Sequence, residues 1–271
     1  MVTGNDPILY SEDKGIAIIE LNRPEKKNAI SYECWQLFDK YFTKVADAKN
    51  IRALIITGRY EDVFSAGADV SPTDKIIADM ERAFTNRDKE ALVKSYIYMQ
   101  GIFTKLAHLP FPTIAAINGL CYGGGVEMSV ACDLRVAKEG ARICMSETRL
   151  GLIPDLGGTV RLARLVGPGR AKDLIYTTRE ITPEEGMALG LINRVFPAKG
   201  FRGHVLEYVR SIIANAPSAL KTVKTIIDSS LGTDETSALS IEREEAALNV
   251  LSGEVVEGIT ALMEKRPPRW E

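Results

Sequence analysis

Two histidines and four cysteines in 271 residues leave little material for metal or thiol chemistry. His108 and His204 are isolated, and Cys34, Cys121, Cys132 and Cys144 form no C-x-x-C pair, so zinc-ligand spacing is absent. G-x-S-x-G, G-x-G-x-x-G, a Walker loop and H-E-x-x-H are missing as well. Serine-hydrolase, dinucleotide-binding and zinc-protease readings therefore have no positive signal. No stretch approaches the roughly 20 apolar residues of a membrane span. The first residues, MVTGNDPILYSEDKG, show neither a basic n-region nor an apolar h-region, and the final PPRWE is not a peroxisomal address. An excess of one charge is also lacking. The formal net charge of −2 and pI near 5.9 argue against a nucleic-acid or membrane-surface protein. Free, mostly buried cysteines fit a reducing, cytoplasmic compartment.

What is present is apolar material for a large core, 45% of the chain. Residues 8–21 read as two strands around an Asp13-Lys14-Gly15 turn. Ser31 is placed to cap a helix whose apolar face is Trp35, Phe38, Phe42 and Val45. ALIIT (53–57) and TIAAIN (113–118) read as fully buried strands. VFSAGAD (63–69) reads as a small-residue turn, and 72–108 as helix broken around Thr85–Glu90, either a flap over a site or a solvated loop. His108 reads as a helix C-terminal residue. Strand, glycine turn and helix recur at ALIITG…AGAD and TIAAINGL…GGGVE, which argues for α/β architecture. From about Gly200 the pattern is helical, with helices expected near 234–251 and 253–264. This divides the chain into a core, 1–199, and an appended helical module, 200–271.

The centre of interest runs from Pro112 to Thr159. There a triple glycine, Gly123–Gly125, meets three carboxylates, Glu127, Glu147 and Asp155, in largely apolar surroundings. Burying a carboxylate is costly and raises its pKa, so such residues need a reason. Both glycine turns fall where a strand gives way to a helix, the usual ligand-binding edge of an α/β sheet. Orphan N–H groups at such turns, converging on one oxygen, stabilise an enolate or a tetrahedral oxyanion. Three residues separate Gly124 from Glu127, which puts them on one helix face.

VFSAGAD, PTIAAINGLCYGGGVEMSVACDLRVA and SETRLGLIPDLGGTVRL, in that order and spacing, resemble the crotonase (enoyl-CoA hydratase/isomerase) superfamily. The resemblance extends from GIAIIELNRPEKKNAIS to EKRPPRW. It implies an α/β fold, a crotonase-type spiral of ββα units with a C-terminal α-helical trimerisation region. It further implies acyl-CoA thioester substrates, no cofactor beyond the coenzyme A of the substrate, and a homotrimer or a dimer of trimers. By motif position, Ala68 and Gly124 are the implied oxyanion-hole donors. Ala66, Asp69, Val70, Ser71 and Gly123 then line the acyl-CoA channel, and Lys27 and Ala29 stand at the entry to the adenine pocket. The tail Lys265–Arg269 resembles one that reaches a neighbour's CoA phosphates; a solvated charge run is the rival reading.

Glu127 and Glu147 match the two glutamates that the resemblance assigns to hydratases. The first activates a water for attack at C3 and the second exchanges a proton with C2. Asp155 departs from the pattern, since common hydratases read IPGAGG where this chain reads IPDLGG. An acid there resembles enoyl- and dienoyl-CoA isomerases and hydroxyacyl-CoA hydrolases; a cap for the following helix is the structural alternative. The expectation is thus a hydratase, with an isomerase using Asp155 and Glu147 as the alternative. A hydrolase is weaker, and a non-catalytic binding protein, for which no basic stripe exists, weaker again. Val70, Ile76, Met80, Phe84 and Met99 are candidates to shape the acyl pocket or to fill helix core.

Overall fold

The computed structural model describes residues 6–270. The strands are β1 (Ile8–Asp13), β2 (Ile16–Leu21), β3 (Ala53–Gly58), β4 (Val63–Ser65), β5 (Thr113–Ile117), β6 (Leu120–Tyr122), β7 (Leu134–Lys138), β8 (Arg142–Cys144) and β9 (Arg194–Phe196). The helices of the first half are α1 (Tyr32–Ala46), α2 (Lys75–Thr85), α3 (Lys89–Ala107) and α4 (Gly124–Ser129). Those of the second half are α5 (Gly158–Val166), α6 (Pro168–Thr177), α7 (Pro183–Leu189), α8 (Phe201–Ile213), α9 (Pro217–Ser230), α10 (Glu235–Leu251) and α11 (Glu254–Met263).

β1 and β2 form the expected hairpin, with Asp13 paired to Ile16. Both loop residues, Lys14 at φ +48° and Gly15 at φ +85°, take the left-handed conformation that a tight two-residue hairpin demands. The large sheet runs in the order β1-β2-β3-β5-β7-β9, parallel from β2 onward. Every residue of β3 and β5 is buried, which explains their unbroken apolar runs.

A second sheet, β4-β6-β8, is parallel throughout. The chain alternates between the sheets: β3 passes to β4, β5 to β6 and β7 to β8. This alternation is the ββα spiral. It corrects the reading of VFSAGAD as a turn alone, because Val63–Ser65 is strand β4. It also adds Leu120–Tyr122, which the sequence pattern left inside a glycine turn.

Two apolar layers sandwich the large sheet. On one side α1 and α3 pack Trp35 against Phe103 (ring centroids 5.0 Å apart) and Phe38 against Phe42 (5.5 Å). Ser31 caps α1, its hydroxyl accepting from the Cys34 N–H at 3.4 Å. On the other side α8 sets Phe201, Val205, Val209 and Ile213 against Ile16, Ile55, Ile114 and Val136. The strand-poor region after Lys199 therefore starts with a helix that closes the core. In contrast, α9 and α10 contain no fully buried residue, and Ala261 is the one in α11. Among the described residues, no single helix is long and apolar enough to cross a membrane.

Candidate active site

The carboxyl ends of β4, β6 and β8 deliver the site. β4 leads through Gly67 to Ala68, β6 leads to Gly123 and Gly124, and β8 leads to Glu147 at the start of a 3-10 turn (Glu147–Leu150). Because β6 lies between β4 and β8, Gly124 is brought beside Ala68 and Gly123 beside Glu147.

Each residue of the triple glycine has a close neighbour, and at Gly125 the neighbour excludes a side chain. A Cβ on Gly123, which has φ +50°, would lie 3.4 Å from Glu147 Oε1. One on Gly124 would lie 3.2 Å from the Ala68 nitrogen, and one on Gly125 2.8 Å from the Ser65 carbonyl oxygen. With bonded N–Cα–Cβ geometry, the Gly124 contact puts the Ala68 and Gly124 nitrogens within about 6 Å of each other. Two N–H donors so spaced are able to reach a common oxygen. Gly124 opens α4, so its N–H has no partner within the helix. Ala68 is exposed, and its N–H has no backbone acceptor among the described residues.

Glu127, one turn into α4, is 1% exposed. Its Oε1 accepts from the Leu156 N–H at 2.8 Å and the Gly158 N–H at 2.9 Å. Glu147 is 8% exposed, and its carboxyl oxygens have no full-strength hydrogen bond among the described residues, only its own and the Ser146 N–H groups and the Glu127 carboxyl close by. Burial pushes the Glu127 carboxyl well up, the charge of Glu147 adds to this, and the Gly158 and Leu156 N–H groups oppose it. Burial also pushes Glu147 up, reinforced by the charge of Asp155. Two buried carboxyls this close do not both ionise readily, so the pair retains a proton above the ordinary glutamate range.

Asp155 is half-buried on the loop between the 3-10 turn and α5. Burial pushes its carboxyl up, while the Tyr96 hydroxyl draws it the other way. The helix-cap alternative fails: α5 has Gly157 at its N-cap, φ +100°, with no side-chain cap. All three acids thus belong to one electrostatic cluster.

Of the remaining expected residues, Asp69 and Ser71 line a groove, while Lys27, Ala29, Ala66 and Val70 lie outside its lining. The Lys27 carbonyl accepts from the Ala66 N–H at 2.9 Å, and the Ala29 carbonyl from Arg23 Nη1 at 2.5 Å. Lys27 is exposed with φ +49°, while Lys26, Arg23, Tyr32, Ser71 and Lys75 border the groove. The Asp69 carboxylate pairs with Arg23 at 2.9 Å and accepts from the Ser71 N–H at 3.0 Å, and these contacts hold it below the usual carboxylate range despite its burial. Of the acyl-pocket candidates, Met99 and Ile76 are core, Met80 packs on the core, and Val70 (62% exposed) and Phe84 (76%) face outward. In the tail, Arg266 is taken up by Glu257 at 2.6 Å, and Trp270 Nε1 donates to the Ala214 carbonyl at 2.8 Å.

Sequence reasoning missed Asn28, Tyr96, Gln100 and Arg161. Asn28 is buried at φ +54°; its Oδ1 accepts from Arg23 N, and its Nδ2 donates to the carbonyls of Val63 and Phe64. The signal available was an asparagine in an Lys-Lys-Asn turn, a residue type that tolerates the left-handed region. For the α3 residues no signal existed, because their partners lie some 55 positions away in sequence.

Structures of solved proteins superpose on this fold closely. A 1.8 Å crystal structure of an enoyl-CoA hydratase from Bacillus anthracis matches with TM-score 0.87 and 34% identity, covering 97% of this chain and 98% of that one. The architecture is accordingly that of the crotonase superfamily. The model of the enoyl-CoA hydratase/isomerase family matches residues 11–271, and the chain belongs to that family of enzymes. Among curated relatives, the short-chain-enoyl-CoA hydratase of Clostridium acetobutylicum is 34% identical, with 97% of this chain and 96% of the relative covered. The mitochondrial methylglutaconyl-CoA hydratase of Mus musculus is 33% identical, with 97% and 82% covered.

Proposed function

We propose that this protein hydrates a trans-2-enoyl-CoA to the 3-hydroxyacyl-CoA by syn addition of water. The observation that carries the reading is the pairing of Glu127 with Glu147 beside the two convergent amides of Ala68 and Gly124. The amides receive the thioester oxygen and gain strength as it becomes an enolate oxygen. Hydration needs one carboxylate and one carboxylic acid over neighbouring carbons, and a buried like-charged pair supplies that state. The N–H groups on Glu127 favour its charged form, which suits it to take a proton from water as the C3–O bond forms. Glu147, held less firmly, with only its own and the Ser146 N–H groups near its oxygens beside the Glu127 carboxyl, suits delivery of a proton to C2. Proton transfer between the adjoining carboxyls then restores the starting state. No step calls for a cofactor, since coenzyme A arrives as part of the substrate. Loss of the enoyl-thioester absorbance with crotonyl-CoA or longer homologues tests the reading, and no loss at any chain length refutes it.

Asp155 supports a second reading, double-bond isomerisation with Glu147. Its carboxylate lies within electrostatic reach of both glutamates and caps no helix. Asp155→Asn should abolish turnover of 3-enoyl- or 3,5-dienoyl-CoA; full retention of that turnover removes the role.

The oligomer is read as a homotrimer or a dimer of trimers assembled through the helices after the core. Val223, Ile227, Leu248, Leu251, Ile259 and Leu262 are exposed there on helices with almost no fully buried residue. Sedimentation equilibrium should give three or six copies, and a monomer would contradict the reading. The four buried free thiols support a cytoplasmic location.

A further inference from the structure

α3 runs past the Asp155 loop and meets it at three successive turns. Tyr96, Gln100 and Thr104 are each four residues apart and so stack on one helix face. The Tyr96 hydroxyl lies near the Asp155 carboxylate, close enough that each shifts the other's titration. Gln100 Nε2 donates to the Asp155 carbonyl at 2.5 Å. Thr104 Oγ1 accepts from Arg161 Nη2 at 3.1 Å, and Arg161 Nη1 turns back to donate to the Leu156 carbonyl at 3.1 Å. The guanidinium fills the space over Gly157, where a Cβ would lie 2.1 Å from Nη1. The loop held in this way is the one whose Leu156 and Gly158 N–H groups bind Glu127 Oε1. Gln100 and Thr104 are exposed, so core packing does not account for their contacts.

We propose that this face of α3 is a positioning rail: Tyr96, Gln100 and, through Arg161, Thr104 hold the Asp155–Gly158 loop, fixing the Asp155 carboxylate and the two amides that seat Glu127. The structural content of the inference stands by itself; its catalytic consequence rests on the acid–base roles proposed for Glu127 and Glu147. None of the three α3 residues needs to touch substrate. They act through the loop, in the way that small displacements of a positioned group slow a reaction without weakening binding.

The test uses the full chain and the variants Tyr96→Phe and Gln100→Ala/Thr104→Val. Hydrogen exchange is followed at Leu156 and Gly158, with β5 as internal reference. Exchange at the two loop amides is expected to accelerate by about tenfold or more in the double variant while β5 is unchanged. On a 2-enoyl-CoA, kcat is expected to fall about tenfold with KM within about twofold, and Thr104→Ser, which keeps the hydroxyl, should behave as the parent. Unchanged loop exchange, or acceleration that includes β5, would overturn the rail. If the parent chain turns over no enoyl thioester, the hydratase reading fails while the exchange comparison still decides this one.

Discussion

Glu127 and Gly158 share one space: the Gly158 N–H donates to Glu127 Oε1 at 2.9 Å, and a Cβ on Gly158 would lie 2.6 Å from Glu127 Cγ. The glycine that seats the carboxylate is therefore also the residue that makes room for it. Gly158→Ala should push the Glu127 side chain off its two donors. The expected outcome is a loss in kcat of about a hundredfold or more, with the fold retained, because misplacing a catalytic group by an ångström costs on that order. Steady-state kinetics beside a circular-dichroism melt checks this, and activity within a few-fold of the parent would contradict it.

Gly124→Ala tests the amide pair instead of the acids. The added methyl would lie 3.2 Å from the Ala68 nitrogen, beside the place proposed for the thioester oxygen. The methyl asks Ala68 and Leu156 to give by only a few tenths of an ångström, and alanine suits a helix better than glycine, so the fold should be retained with a small change in melting temperature. The backbone N–H remains, but a methyl that keeps the oxygen off it should lower kcat by about 10²–10³, the usual cost of losing one oxyanion donor. The measurement is kcat and KM on the best enoyl-CoA substrate.

Glu147 carries a cost in stability. Its folded-state pKa is raised by burial and by Asp155, and the nearby Glu147 and Ser146 N–H groups and the Glu127 carboxyl oppose this only in part. A raised acid favours the folded state below its unfolded pKa, and that contribution is lost as pH rises through the folded value. Glu147→Gln removes the penalty, so the variant should melt higher than the parent by about 2–4 °C near pH 8. The gain should vanish below about pH 4, where the parent is protonated in both states. Calorimetry across that range checks it, and a variant less stable at pH 8 would contradict the account.

The fold was legible wherever apolar runs were long enough to show a period. β3, β5 and the α1 stripe of Trp35, Phe38 and Phe42 follow directly from spacing. β4 and β6 did not, since three residues such as Val63–Ser65 display no alternation and a glycine follows within two residues. Yet these two short strands, with β8, bring Ala68, Gly124 and Glu147 together. Motif order supplied those residues where periodicity could not. Arg161 and Gln100 stayed hidden because each looks like an ordinary polar position on a helix, and only the docking of α3 against the loop gives them partners. The change of texture near Gly200 marks the end of the strands, while the core continues through α8.

Asn28 ties the Lys26–Ala29 turn to β4, the strand that leads to Ala68. Asn28→Ala would leave the carbonyls of Val63 and Phe64 short of a donor and force alanine into a left-handed backbone. A destabilisation of about 2–3 kcal/mol is expected, read by urea denaturation. Asn28→Asp keeps the acceptor for the Arg23 N–H and loses both donors, so it should be impaired as well.

The proposed hydration needs Glu127 and Glu147 to work as an acid–base pair over an enolate. The most direct measurement follows the enoyl-thioester absorbance of crotonyl-CoA and longer 2-enoyl-CoAs with the parent chain, Glu127→Gln and Glu147→Gln, each shown to be folded. The prediction is rapid loss of absorbance with the parent and at least about a hundredfold slower loss with either variant. Variants as fast as the parent, or a parent that leaves every enoyl-CoA untouched, would contradict it.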